Sequence, residues 1–153
     1  MSVRGEKAYE LFLSGYNCTQ AVVGAFADVI GMDFDTAVRF SSGFGGGMGR
    51  LREVCGTFSG AVIVVNALYG YSDPKNVQAK AELYSRIQEL AAQFRRDNGS
   101  IICKELLGLS RPEGSPIPEA RTDEYYKKRP CPELCRYSAN MLEEYIREHP
   151  PVK

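Results

Sequence analysis

The stretch GFGGGMGRLREVCGTFSGAVIVVNALYG, from Gly43 to Gly70, decides the fold class. From about Arg52 to Tyr69 its apolar residues Val54, Phe58, Ala61, Val65 and Leu68 recur at helical spacing, and Gly70 closes the run. Ile63, Val64 and Ala67 make the segment apolar nearly all round, which predicts a helix at the centre of an all-α domain. The glycines before it do not form a nucleotide loop. A GxGxxG pattern would need glycine where Met48 or Arg50 stands, and no lysine is present to complete a phosphate-binding loop. Gly56 and Gly60, four residues apart, suit the close approach of another backbone. Gly43, Gly45, Gly46, Gly47 and Gly49 carry a high entropy cost, so they predict a backbone folded tightly around something. Successive N–H groups in such a loop can form a concave anion site.

Working outward, the rest of the chain reads as helices too. Gly5 to Leu13 predicts a first helix, and Asn17 caps a second with Cys18, Val22, Phe26 and Val29 on one face. Asp33 caps a short third carrying Ala37, Val38 and Phe40. Asp73-Pro74 predicts the start of a long helix with Val77, Ala81, Tyr84, Ile87, Ala91 and Phe94 inward, stopped at Asn98-Gly99. Ser100 caps a short helix over IICKELLG. Leu109 to Pro130 is a proline-bearing connector, long enough to serve as a lid or wrapping loop, with one turn at Asp123 to Lys127. A last helix starts at Cys131-Pro132 with Leu134, Ser138, Met141 and Tyr145 on one face. Residues 1–153 thus read as one all-α domain, an irregular multi-helix bundle around a central apolar helix.

Composition excludes several classes. Lys+Arg and Asp+Glu are 19 each, so no global field attracts nucleic acid or an anionic membrane. The N-terminus lacks the long apolar run of a signal peptide, and Ala61 to Val65 is far too short to span a bilayer. The expectation is a cytoplasmic protein. Five cysteines, an odd number without a secretion signal, point to metal binding or redox chemistry rather than a disulfide framework.

Placement sharpens this. Cys18 follows a capping asparagine, Cys55 lies near the start of the central helix, Cys103 is third after the capping Ser100, and Cys131 is itself an expected N-cap. Four thiols at four helix N-termini meet free N–H groups and partial positive charge, which favours thiolates. They are therefore expected to converge. Thiol/disulfide exchange, and ligation of an iron–sulfur cluster or metal by Cys18, Cys55, Cys103 and Cys131, both fit. A purely structural or adaptor role is the remaining class. No CxxC pair supports a zinc ribbon, and the one histidine, His149, sits in a proline-flanked tail expected to face solvent. Cys135, one turn after Cys131, is either a spare ligand or a core residue.

The stretches GYNCTQAV around Cys18, GGGMGRLREVCGTFSGA around Cys55, ICKELLG around Cys103 and RPCPEL around Cys131 resemble the C_GCAxxG_C_C family of redox-active proteins. Thr57 stands where the family motif has alanine, and Cys135 is an addition. The resemblance implies four functional cysteines and a redox role; beside it, an oxidoreductase activity, an unidentified redox partner protein and a homo-oligomer are expected. Such domains are also similar to part of the split-Soret cytochromes, which implies an iron–sulfur cluster as a candidate cofactor. Gly45, Gly46 and Gly47 are expected to bring backbone close to the sulfurs. Cys55, beside the glycine loop and near Arg50 and Arg52, is the expected accessible nucleophile. Cys131 is its expected resolving partner after the family pattern, with Cys103 nearly as good.

Overall fold

The computed structural model describes residues 3–109 and 115–152. The helices are α1 (Val3–Leu13), α2 (Cys18–Ala25), α3 (Phe34–Ser41), α4 (Gly56–Tyr69), α5 (Val77–Asn98), α6 (Cys103–Leu106), α7 (Asp123–Lys128) and α8 (Cys131–Glu148). Among the described residues there is no strand, only an isolated bridge between Val54 and Ile102. The class is all-α, and no helix among the described residues is long and apolar enough to cross a membrane.

Local chemistry explains most boundaries. The Asn17 side chain accepts from the Gln20 N–H while the Gln20 side chain accepts from the Asn17 N–H, both at 3.0 Å, a reciprocal cap that starts α2. Asp33 starts α3 by accepting from the Thr36 N–H at 2.9 Å. The long helix begins later than Asp73-Pro74 predicts. Asn76 supplies the capping oxygen, accepting from the Ala79 N–H at 3.0 Å, while Asp73 closes a turn onto the Lys75 N–H. Its inward face is Leu83, Leu90, Ala91 and Phe94, with Val77 and Tyr84 exposed. On α3, Ala37 and Val38 are buried but Phe40 points outward.

The body is assembled by α1 against α8 and α2, α2 against α4, and α4 against α8 and α5. Phe12, Phe26, Phe94, Leu90, Leu142, Val22, Val64 and Val65 fill it. Burying one such side chain contributes about 1.5–3 kcal/mol, and the edge-to-face pair Phe58–Phe94 at 5.7 Å fixes α5 on α4. A β-carbon on Gly60 would lie 2.9 Å from that of Val22, so this glycine lets α2 and α4 approach closely, as its spacing predicts. The helix expected at the centre is not enclosed all round: Asn66 and Ala67 of α4 are exposed. The most enclosed helix is α2, buried everywhere except Gln20. This packing sets the N-terminal ends of α2, α4 and α8 close together.

Candidate functional site

The glycine-rich stretch adopts a backbone that its composition explains. After a 3₁₀ turn at Ser42–Phe44, Gly46, Gly47, Met48, Gly49 and Arg50 all have positive φ, between 56° and 71°. An L-residue pays about 1–2 kcal/mol for that left-handed conformation and glycine does not, so three of the five positions are glycine. The coil is closed by the Gly49 N–H donating to the Gly43 carbonyl and the Glu53 N–H donating to the Gly47 carbonyl, both at 2.9 Å. The strand-like segment after it is tied to α6: the Cys55 N–H donates to the Ile101 carbonyl at 2.7 Å and the Cys103 N–H to the Glu53 carbonyl at 2.6 Å. Of the three glycines expected against the sulfurs, Gly47 meets a cysteine. A β-carbon there would lie 2.7 Å from that of Cys103. Gly45 instead abuts the Asn17 side chain, and Gly46 abuts Arg50.

All four expected cysteines stand at helix starts, with adjusted positions. Cys18 is the first residue of α2 and Cys55 the N-cap of α4. Cys103 is the first residue of α6, because Ser100 turns its hydroxyl to the Ile102 N–H instead of capping the helix further on. Cys131 is the first residue of α8, with Pro130 at the N-cap and Pro132 second. All five cysteines are free thiols. They occupy one region. A negative charge on the Cys18 sulfur would oppose ionisation of Cys55, Cys103, Cys131 and Cys135 alike, so all four lie within its electrostatic reach. Gly56 has no side chain because the Cys18 Sγ and the Thr19 hydroxyl fill its space. Cys135 is fully buried, its thiol aimed at the Cys18 carbonyl at 3.9 Å, so it belongs both to the core and to this cluster.

At Cys55, Cys103 and Cys131 burial runs against the thiolate expectation. Desolvation, helped by repulsion from Cys18, pushes the Cys55 thiol up to about 12, against a hydrogen bond with Thr57 at 3.1 Å. Cys131 is likewise pushed up to about 12, first by desolvation and then by Cys18 and Cys103. Cys103 is raised by burial although Arg52, whose guanidinium donates to its sulfur at 3.7 Å, opposes this. Cys135 is driven well up by the same desolvation. Helix N-termini do favour thiolates, but removing a charge from water costs more than one helix end returns. Cys55 is also buried, at 6% exposure, against the access expected of it, and Cys18 is buried too, at 9%; Cys131 is the one cysteine of intermediate exposure.

Beside the cluster lies a cleft of about 380 Å³. Cys18 is the cysteine that lines it, together with Gly43, Gly45, Gly46 and Gly49 of the left-handed coil. The opposite wall comes from the connector, which wraps the site as expected, although residues 110–114 of it lie outside the described residues. Arg50 donates to the carbonyls of Ser115 and Ile117, at 2.9 Å for Ser115. Arg121 donates to the carbonyls of Phe12 at 2.6 Å and Tyr16 at 2.9 Å, and its guanidinium lies 4.0 Å over the Phe12 ring. These ties pin the connector over α1 and the glycine coil. Arg121, Arg129 and Tyr125 are site residues that periodicity misses, because they come from a segment without a repeating pattern. Their signal in the sequence is a run of arginines and tyrosines between prolines. His149 does not face solvent freely. Its ring stacks on Tyr145 at 4.2 Å, and its carbonyl accepts from the Tyr69 hydroxyl at 2.6 Å, far from the thiols in the chain and in contacts.

The thiol set has the donor chemistry of a metal or iron–sulfur centre. Among the described residues, however, no three Cys, His, Asp or Glu side chains stand in metal-holding geometry. A family described as "Putative redox-active protein (C_GCAxxG_C_C)" matches residues 16–145, a span that starts two residues before Cys18 and ends in α8. No curated protein and no solved structure matches the chain.

Proposed function

The chain belongs to the C_GCAxxG_C_C redox-active family, and from that premise we propose that it performs thiol/disulfide exchange with Cys18 as the attacking sulfur. One observation carries this reading: Cys18 lines the cleft, and its main chain meets the Cys135 thiol at 3.9 Å, with Cys55, Cys103 and Cys131 within electrostatic reach of its sulfur. It can meet an incoming disulfide on one side and pass the bond inward on the other. Cys131, the least buried of the rest, is the resolving partner, with Cys103 next.

The exchange runs in two steps. The Cys18 thiolate attacks one sulfur of a substrate disulfide; that S–S bond breaks, and one thiolate leaves and takes up the proton Cys18 released. The Cys131 thiolate then attacks the Cys18 sulfur of the mixed disulfide and expels the second thiol. The protein loses two electrons and the substrate gains two. The raised Cys131 thiol makes this second step slow at neutral pH and faster as pH rises.

The test is peptide mapping after oxidation of the reduced protein by a neutral small disulfide. The expected product is an intramolecular bond that contains Cys18, lost in Cys18→Ser. A Cys18 that stays free while other cysteines pair overturns the assignment. Iron bound by anaerobically purified protein, with thiols that resist alkylation until the iron is removed, replaces it with cluster ligation.

A further inference from the structure

Thr57 places a hydroxyl inside the thiol cluster. It is the second residue of α4 and fully buried, at 0% exposure. A threonine forms helix less readily than alanine, and a buried hydroxyl costs free energy unless it is hydrogen-bonded. Among the described residues, the partner of this hydroxyl is the Cys55 sulfur, at 3.1 Å. The main chain that carries it is held in place. The Thr57 carbonyl accepts from the Ser138 hydroxyl at 2.8 Å, and the Gly56 carbonyl accepts from the Thr19 hydroxyl at 2.9 Å. The same stretch receives Cys18. A β-carbon on Gly56 would lie 2.3 Å from the Cys18 Sγ, so that sulfur packs onto the residue that follows Cys55. Thr57, Cys55 and Cys18 thus meet at the start of α4.

We propose that Cys55 is the inner station to which Cys18 passes its disulfide, and that Thr57 is the positioning residue that biases Cys55 back toward the reduced state. The proposal rests on the thiol-exchange reading above and deepens it. In the transfer step the Cys55 thiolate attacks the Cys18 sulfur of the Cys18–Cys131 bond. That bond breaks, a Cys18–Cys55 bond forms, and the Cys131 thiolate leaves and takes up the proton Cys55 released. The protein neither gains nor loses electrons. Whichever of the two atoms donates, the Thr57–Cys55 hydrogen bond belongs to the reduced state. A disulfide has no S–H to donate, and its sulfur is at most a weak acceptor. Oxidation of Cys55 therefore strands a buried hydroxyl, and the cost of that unsatisfied group falls on the disulfide form. Thr57 in this way keeps the inner bond easy to return to Cys131.

The experiment equilibrates the full chain in an oxidising glutathione buffer, quenches with acid, alkylates the free thiols and maps the bonded peptides. The readout is the ratio of the Cys18–Cys55 bond to the Cys18–Cys131 bond. Because both bonds form in one chain, a general change in oxidation cancels. Both bonds are expected, and the ratio should rise about threefold to tenfold in Thr57→Val, the fold-change of one net hydrogen bond. Valine keeps the shape and loses the hydroxyl. Thr57→Ala decides the same point with a smaller side chain and should move the ratio the same way, while Thr57→Ser should restore the parent's value. Packing alone ranks the variants differently: valine matches the parent, and serine, which lacks the methyl group, departs from it. That order, a ratio unmoved in Thr57→Val, or a Cys55 that stays alkylatable while Cys18 is bonded to Cys131, overturns the proposal and leaves thiol exchange standing. A Cys18 that pairs with no other cysteine overturns the exchange reading instead.

Discussion

The body of α1, α2, α4, α5 and α8 and the cysteine end of the molecule are built on opposite terms. In the body, regular backbone buries apolar side chains: Phe26, Leu90, Phe94 and Leu142 are at most 2% exposed. At the cysteine end, five successive residues run left-handed, Arg52 is buried, and four buried thiols crowd one another. Each of these features opposes folding. The body must therefore over-determine the site, which is how strained and desolvated groups persist at functional positions. The two regions meet where Thr19 of α2 donates to the Gly56 carbonyl at 2.9 Å and Ser138 of α8 donates to the Thr57 carbonyl at 2.8 Å. These buried hydrogen bonds tie α2 and α8 to the start of α4, just beyond Cys55.

The largest expected effect comes from the body. Phe94→Ala should destabilise the protein by about 3–5 kcal/mol, with helix signal and thiol protection lost together in one urea transition. If thiol protection survives the loss of helix, the site does not depend on the body. Next comes Gly47→Ala. Its left-handed φ of 71° and a β-carbon placed 2.7 Å from Cys103 Cβ and Arg52 Cα leave no room to relax. The expected cost is about 2–3 kcal/mol, strain plus overpacking, with faster alkylation of Cys103. Gly46→Ala should cost only about 1 kcal/mol, the left-handed strain, because a β-carbon there meets side-chain atoms of Arg50 and Arg52 and no backbone atom. Equal costs at the two glycines would show that space, not dihedral strain, is irrelevant here.

A pH series separates the regions further. The Cys55 thiol is raised in the folded state from an ordinary 9.0 to about 12, so the folded protein prefers it protonated. Its stabilising contribution is complete below pH 9 and is lost as pH rises toward 12. The stability of the protein should therefore fall with alkaline pH more steeply than that of Cys55→Ala, measured by urea midpoints; parallel curves would contradict this. The smallest effect belongs to the body's surface. Arg4 pairs with Asp28 at 2.7 Å and holds that carboxyl at about 2. Asp28 is mostly exposed, so Asp28→Asn should cost under about 1 kcal/mol. The loss appears as pH falls below the ordinary carboxylate range and vanishes from the difference between the two proteins at acid pH.

The sequence by itself determined the all-α class, most helix starts, the association of four cysteines with four helix N-termini, and the family. These follow from nearest-neighbour chemistry: a capping oxygen three residues before an N–H, a 3.6-residue apolar repeat, a glycine where a helix must stop. Asn17, Asp33 and Gly70 announce themselves in this way, and Gly56 and Gly60 announce close packing by their spacing. Tertiary structure alone decided which cysteine borders the cleft. Cys55 sits beside the glycine loop in sequence yet is buried away from the cleft, while Cys18, a distant residue and itself largely buried, lines it. It also decided the sign of the thiol shifts, because burial depends on what the rest of the chain lays over a group, and desolvation outweighs the local helix end. The arginine-lined wall came from the connector for the same reason. Arg121 and Arg129 have no periodicity to reveal them, and their place is set by carbonyls of α1 and its following turn and by Glu119, contacts that exist only once the chain has closed on itself.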